Sequence, residues 1–367
     1  MLLLAPPLYA KLFPKLVHNI HPKCAPSYLY YKHMQVLQTR ISIINTQNHR
    51  SRSPLQIVNV KPGNGGEGRI MMSGDAVKQP SEVYWGRKWK EFDMLAAGAM
   101  LALHVLCCFA PFTFNWAALK VTIGLDFLSR LLGINLSFHR HLSHYSFIIP
   151  KWLEYTFAYC GLHALQGNPI DWVSTHRYHH QYCDTDRDPH SPTKGFWFSH
   201  IIWLFDTKNI QKTRLEPDNV KDLEKQSFYR FLRRSYMAHP IALALLLYAL
   251  GGFPFVVWGM GVRIVWGYHI TWLVNSVCHG RGDQAWYTGD LSLNNAWVGV
   301  IGLGDGWHNN HHAFKYSARH GLEWWQIDIT YYVIRLLEII GLAAKVKLPT
   351  SIDIQRRTIH TNSIQSL

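Results

Sequence analysis

The chain alternates between long apolar runs and stretches in which aromatic residues are mixed with charge. Met94 to Phe114 holds no charged residue and a single histidine, His104. A run of that length crosses a ~30 Å hydrocarbon core as one helix. Trp116 to Phe138 follows after a minimal link and contains Lys120, Asp126 and Arg130, the last two spaced to pair on one helix face. A second pair of runs covers Ala238 to Trp258 and Gly261 to Cys278, with Gly251, Gly252 and Pro254 placed to kink or end the third helix. The pattern predicts an all-α membrane protein with four transmembrane helices.

Between the pairs, residues 145–237 are polar and aromatic by turns. "KWLEYTFAYCGLHAL" and "GFWFSHIIWLF" are too short or too mixed to span and read as helices lying at the interface. After Gly321, "LEWWQIDITYYVIRLLEIIGLAAKV" reads as an amphipathic helix that lies on the membrane or caps the polar part. Basic residues orient the whole. Arg87, Lys88 and Lys90 precede the first span, Arg140 and Lys151 follow the second, and Lys225, Arg230, Arg233 and Arg234 precede the third. The positive-inside tendency then puts both termini and the long loops on one membrane face, with a helical cytosolic- or stromal-side cap.

Fifteen Trp, 18 Tyr and 17 Phe suit a membrane–water boundary. The formal charge of +14 raises nucleic acid as a partner, but the Lys and Arg gather on no recognisable motif, and nucleic-acid binding is excluded. Six cysteines without CxxC spacing imply neither a disulfide framework nor a zinc knuckle. Residues 1–66 contain no Asp or Glu but many Lys and Arg, the composition of an organellar transit peptide. The expected organisation is a leader over 1–70, a linker over 71–92, one membrane domain over 93–349 and a flexible tail over 350–367.

Four histidine clusters stand against this apolar background. They are "HRHLSH" (His139, His144), "HRYHH" (His176, His179, His180), "NSVCH" (Asn275, His279) and "HNNHH" (His308, His311, His312). Spacing i, i+3, i+4 sets imidazoles on one helical face. His139 and His144, five apart, diverge on a regular helix, so the second is expected past a helix end or across a π-like turn. Isolated His104, His163, His200, His239 and His269 read as satisfied core residues. Two HxxHH triplets beside membrane-flanking segments do not, because buried imidazoles without partners are costly. The ligand set is imidazole without thiolate, which suits iron, copper, zinc or nickel. Nine histidines are too many for one ion, and two ions would take four or five each, with Asn275 binding directly or through water. A structural zinc needs only four ligands. Asp171, Asp184, Asp186, Asp188 and Asp305 lie near enough to orient the ligands.

HxxxxH, HxxHH and HxxHH, with NxxxH between the last two, resemble the membrane-bound Δ9-type fatty acid desaturases. "LQGNPIDWVSTHRYHHQYCDTDRDPHSP", "GFWFSHIIWLFDT" and "SARHGLEWWQIDIT" are similar to the plant acyl-lipid subgroup. The resemblance, from about Trp85 to Pro349, implies a di-iron centre, an acyl-lipid substrate in a hydrophobic tunnel, and O2 as oxidant. It implies iron ligation by His139, His144, His176, His179, His180, His279, His308, His311 and His312, with Asn275 acting through water. Gln166, Asn168 and Trp172 match the segment lining the tunnel. No HPGG-type haem motif is present, so electrons come from a partner: ferredoxin in a chloroplast membrane, or cytochrome b5 in the endoplasmic reticulum. The chain departs from the subgroup at His141, where Asn is usual, at Asp305, where Glu is usual, and in "CHGRGDQAW". His141 is off the ligand spacing and is expected to leave the metal unchanged. Two rivals are a di-iron hydroxylase, which usually opens with HxxxH, and a metal transporter, which would line its spans with ionisable residues.

Overall fold

A computed structural model describes residues 89–207, 209–211 and 218–365. The leader expected over 1–70 and most of the linker lie outside the described residues. The described part is helical, with isolated bridges and no strand among these residues.

Helix Glu91–Cys108 starts where Asp93 accepts the Lys90 backbone N–H, and it gives way at Pro111. Its apolar side chains face outward, Leu95 being 68% and Leu101 65% exposed. Glu91–Phe112 and Ala238–Ser276 are long and apolar enough to cross a membrane. The second stretch is not one rod. Gly252 takes φ 63°, outside helical geometry, and Pro254 follows it. Leu247 packs so closely on Gly259 that a Cβ there would come within 2.7 Å of it. On a continuous helix these residues would stand ~18 Å apart, so the chain reverses at Gly252.

Helix Trp116–Asp126, capped by the Asn115 side chain, runs on into a π-helix over Phe127–Ser143. Arg130 donates to Asp126 at 2.7 Å as the spacing predicts, and also to the Ile301 carbonyl. Helices Lys151–Leu162 and Pro169–Tyr182 pack on this π-helix. Phe138, Leu162, Ile170 and Val173 form one buried cluster, while Leu136, Phe157 and Ile334 form another that draws in helix Ile329–Ile339. Gly161 against Gly133 allows the closest approach; a Cβ at Gly133 would meet backbone at 2.4 Å.

One expectation changes. The tail expected to be flexible over 350–367 is helical over Ser351–Gln365. Thr350 and Asp353 close a reciprocal cap, the Asp353 carboxylate accepting from Thr350 N–H and the Thr350 hydroxyl accepting from Asp353 N–H. That cap supplies the orphan groups of the first turn. His104, His269 and His200, read as satisfied residues, do find partners, in one another: they form a chain, with ring nitrogens 3.1 and 3.0 Å apart, that ends on Ser276.

Candidate metal centre

The π-helix resolves the awkward HxxxxH spacing. Wider turns bring residues five apart into register. His139 and the cap residue His144 therefore meet edge to face, ring centres 5.2 Å apart. His176, His179 and His180 project from helix Pro169–Tyr182, and His308, His311 and His312 from the short helix His308–Ala313. His279 lies just beyond helix Arg263–Ser276.

The nine predicted histidines assemble into two groups. His139, His144, His176, His180 and His311 offer five ring nitrogens within 4.8 Å of one another, and His179, His279, His308 and His312 offer four. Each HxxHH triplet straddles both groups. The i, i+4 pair His176/His180 joins the first group and His179 the second; His308/His312 joins the second and His311 the first.

In the first group, the Nε2 atoms form a string: His144 to His176 at 2.9 Å, His176 to His180 at 3.1 Å, His180 to His311 at 3.0 Å, and His311 to His139 at 3.1 Å. A neutral imidazole nitrogen is either a donor or an acceptor, so five cannot satisfy one another in this way. A cation at their centre satisfies all of them. In the second group, His279 and His308 approach at 2.9 Å, and His312 Nε2 is buried without a protein partner. The residues fit two metal ions with imidazole ligands.

Carboxylates hold the other ring nitrogen of four of these histidines. Nδ1 of His139 lies 3.2 Å from Asp305, that of His179 2.9 Å from Asp188, that of His279 3.0 Å from Asp184 and that of His312 2.9 Å from Asp290. Such partners fix the tautomer with Nε2 turned to the centre. Asp184 reaches His279 from a left-handed turn at φ 60°. Asp305 is itself gripped by fully buried Arg140, which also pairs with Asp328. Gly304 makes this possible, since a Cβ there would lie 2.2 Å from the Asp328 carboxylate. Burial alone would raise the Asp290 carboxyl, but His312 and the hydroxyls of Ser292 and Thr288 hold it well below the usual range. Burial and neighbouring imidazoles push His144, His176, His180 and His311 well below ordinary histidine, leaving them neutral at pH 7.

Of the predicted orienting carboxylates, Asp184, Asp188 and Asp305 are in place. Asp171 instead pairs with Arg233 at 3.3 Å, and Asp186 is exposed. Asp290 was missed, as was buried His320, 3.4 Å from Asp305. His141 stays out of both groups. It bonds Glu154 at 3.2 Å and the Phe147 carbonyl at 3.1 Å.

A cavity opens beside the groups, lined by Ile134, Trp172, Ile270, Thr271, Val274 and Asn275 together with His139, His176, His179 and His308. Trp172 donates to Gln166, which donates to Thr271. Gln166 and Trp172 thus brace the wall. Asn168, expected in that wall, caps helix Pro169–Tyr182 by accepting from Asp171 N–H, because a helix start leaves donors unpaired.

Residues 114–337 match the fatty acid desaturase family model. This chain belongs to the fatty acid desaturase family. It is 64% identical over 289 residues to the chloroplastic palmitoyl-monogalactosyldiacylglycerol delta-7 desaturase of Arabidopsis thaliana, covering 78% of each chain. It is 56% identical over 284 residues to an acyl-CoA 5-desaturase of Anemone leveillei, covering 77% of this chain and 88% of that one. It is 55% identical over 273 residues to delta-9 acyl-lipid desaturase 1 of Arabidopsis thaliana, covering 74% and 88%. As a desaturase it is an oxidoreductase that acts on acyl lipid with O2.

Proposed function

We propose that this desaturase introduces a cis double bond at Δ7 of the palmitoyl chain of monogalactosyldiacylglycerol in the chloroplast membrane. The division of nine imidazoles into five and four beside an apolar cavity supports the chemistry. The 64% identity to a Δ7 enzyme, against 55–56% to Δ5 and Δ9 enzymes, supports the substrate.

His139, His144, His176, His180 and His311 would hold one iron. His179, His279, His308 and His312 would hold the other, with Asn275 completing it through water. Unactivated methylenes offer no acidic proton, so side-chain acid–base work cannot remove their hydrogens. Bound iron, with O2 and two electrons, supplies the oxidising power. The chain's own residues do the rest. Asp305, Asp188, Asp184 and Asp290 hold the ligand tautomers. Trp172, Ile134, Ile270 and Val274 keep water from the reacting methylenes, and the Gln166–Thr271 bond fixes the wall.

The reversal at Gly252 supports reading Ala238–Ser276 as two passes, with 91–112 and 116–138 as the other two. Both termini and the histidine groups then share the stromal face. There an acidic ferredoxin meets basic residues such as Arg230, Arg233 and Arg234. Cytochrome b5 takes its place if the protein resides in the endoplasmic reticulum.

Expression in a desaturase-deficient host, with double bonds mapped in each lipid class, tests this reading. A C16 chain unsaturated at Δ7 in monogalactosyldiacylglycerol is expected. Products unsaturated at Δ9 in other lipids would overturn the substrate, and a gain of one oxygen instead of a loss of two hydrogens would overturn the chemistry.

A further inference from the structure

We infer that the C-terminal helix Ser351–Gln365 is a strap that holds the second histidine group in register, acting through Arg357. The inference rests on reading the two groups as iron sites. The helix packs against two backbone segments distant in sequence. Arg357 donates Nη2 to the Ala313 carbonyl at 3.0 Å and Nη1 to the Tyr287 carbonyl at 3.3 Å. Ala313 directly follows His312. Tyr287 lies three residues before Asp290, whose carboxylate meets His312 Nδ1 at 2.9 Å. One guanidinium thus ties the two strands of backbone that carry the two halves of the His312–Asp290 pair.

A second bond reinforces the grip. The Tyr287 N–H donates to the Thr361 hydroxyl at 2.9 Å, and Thr361 is buried on a helix most of whose described residues are exposed. From Tyr287 the chain enters the turn in which the Thr288 and Ser292 hydroxyls donate to Asp290 at 2.6 and 2.5 Å. The Asp290 carboxylate therefore has its place set from one side by its own turn and from the other by the strap. Arginine suits the task because its planar fork offers several donors in fixed directions, whereas lysine offers a point charge on a flexible stem. Hydrogen bonds join this helix to Tyr287, Ala313 and Tyr316. Arg357 is a positioning residue, since it reaches His312 only through backbone and through Asp290.

The test uses full-length protein purified with its iron, alongside Arg357→Ala, Arg357→Lys and a chain ending at Pro349. Iron per chain, the rate of iron release to a chelator and the Mössbauer spectrum are read with the thermal midpoint of the iron-free protein. Arg357→Ala is expected to release one of its two irons on the order of tenfold faster, as loss of an orienting partner does. The spectrum then keeps one iron environment, the iron-free midpoint stays near wild type, and the Lys variant falls between. The truncated chain is expected to lose the same iron. Wild-type release kinetics in Arg357→Ala would overturn the strap. So would loss of both irons in step with a lowered iron-free midpoint, which marks a structural helix only. A wild-type protein that binds no iron would instead overturn the reading of both groups, and the strap with it.

Discussion

The two histidine groups share two helices, Pro169–Tyr182 and His308–Ala313, yet are built differently. In the group of four, three members rest on a carboxylate: His179 on Asp188, His279 on Asp184 and His312 on Asp290. In the group of five, only His139 does so, through Asp305. The smaller group is wholly buried, whereas His144, His176 and His180 at the larger are less completely buried. Titration does not follow that division. Burial and like neighbours push His144, His176, His180 and His311 well down, and His308 and His312 with them, while at His279 the Asp184 carboxylate outweighs burial and raises the imidazole. The lesson is that one group offers a metal more ligands, and the other offers ligands that are more firmly oriented.

The largest effect is expected at His179, which belongs to the group of four but projects from the same helix turn as His180 of the group of five. His179→Ala should abolish desaturation and lower bound iron while the protein still accumulates. Full activity in lipid analysis of the expressing host would break the comparison at its root.

A smaller effect sharpens it. Asp290→Asn keeps the shape but loses the charge that orients His312. It should weaken iron in the group of four by roughly 10- to 100-fold, read from chelator competition, while the group of five keeps its iron. Equal weakening of both irons would mean that the groups are not independently held.

The smallest effect concerns a histidine outside both groups. Glu154 receives bonds from His141, Lys151 and Tyr229. Burial would raise its carboxyl, but these partners hold it at about 2 against an ordinary 4.5. A depressed carboxylate stabilises the fold above its unfolded value, and the contribution is lost as pH falls through the folded one. The iron-free protein should therefore lose stability between pH 4.5 and 2, and Glu154→Gln should flatten that slope while leaving iron content unchanged. A slope identical in the variant would remove Glu154 from the account.

What was legible in the sequence follows from locality. The histidine boxes, the Asp126–Arg130 pair and the break at Gly252 depend on neighbours within five residues, and spacing reveals them. HxxxxH fits no regular turn, so a helix end or a π-like turn was expected there, and both occur: the π-helix closes at Ser143 and His144 caps it. The division of each triplet between two centres was hidden, since it depends on where the other helices arrive. Asp290 sits in "TGDLS", a composition shared by any solvated turn, and only its meeting with His312, 22 residues away, gives it a role. The Thr350–Asp353 cap was a local signal for the last helix, passed over because the segment is polar and terminal. His104, His200 and His269 read as isolated because their partners lie up to 165 residues away.

Counting metal in anaerobically purified protein tests the central claim most directly. Two irons per chain, with activity rising in proportion to iron content, is the predicted result. Full turnover in protein that carries no iron would contradict it.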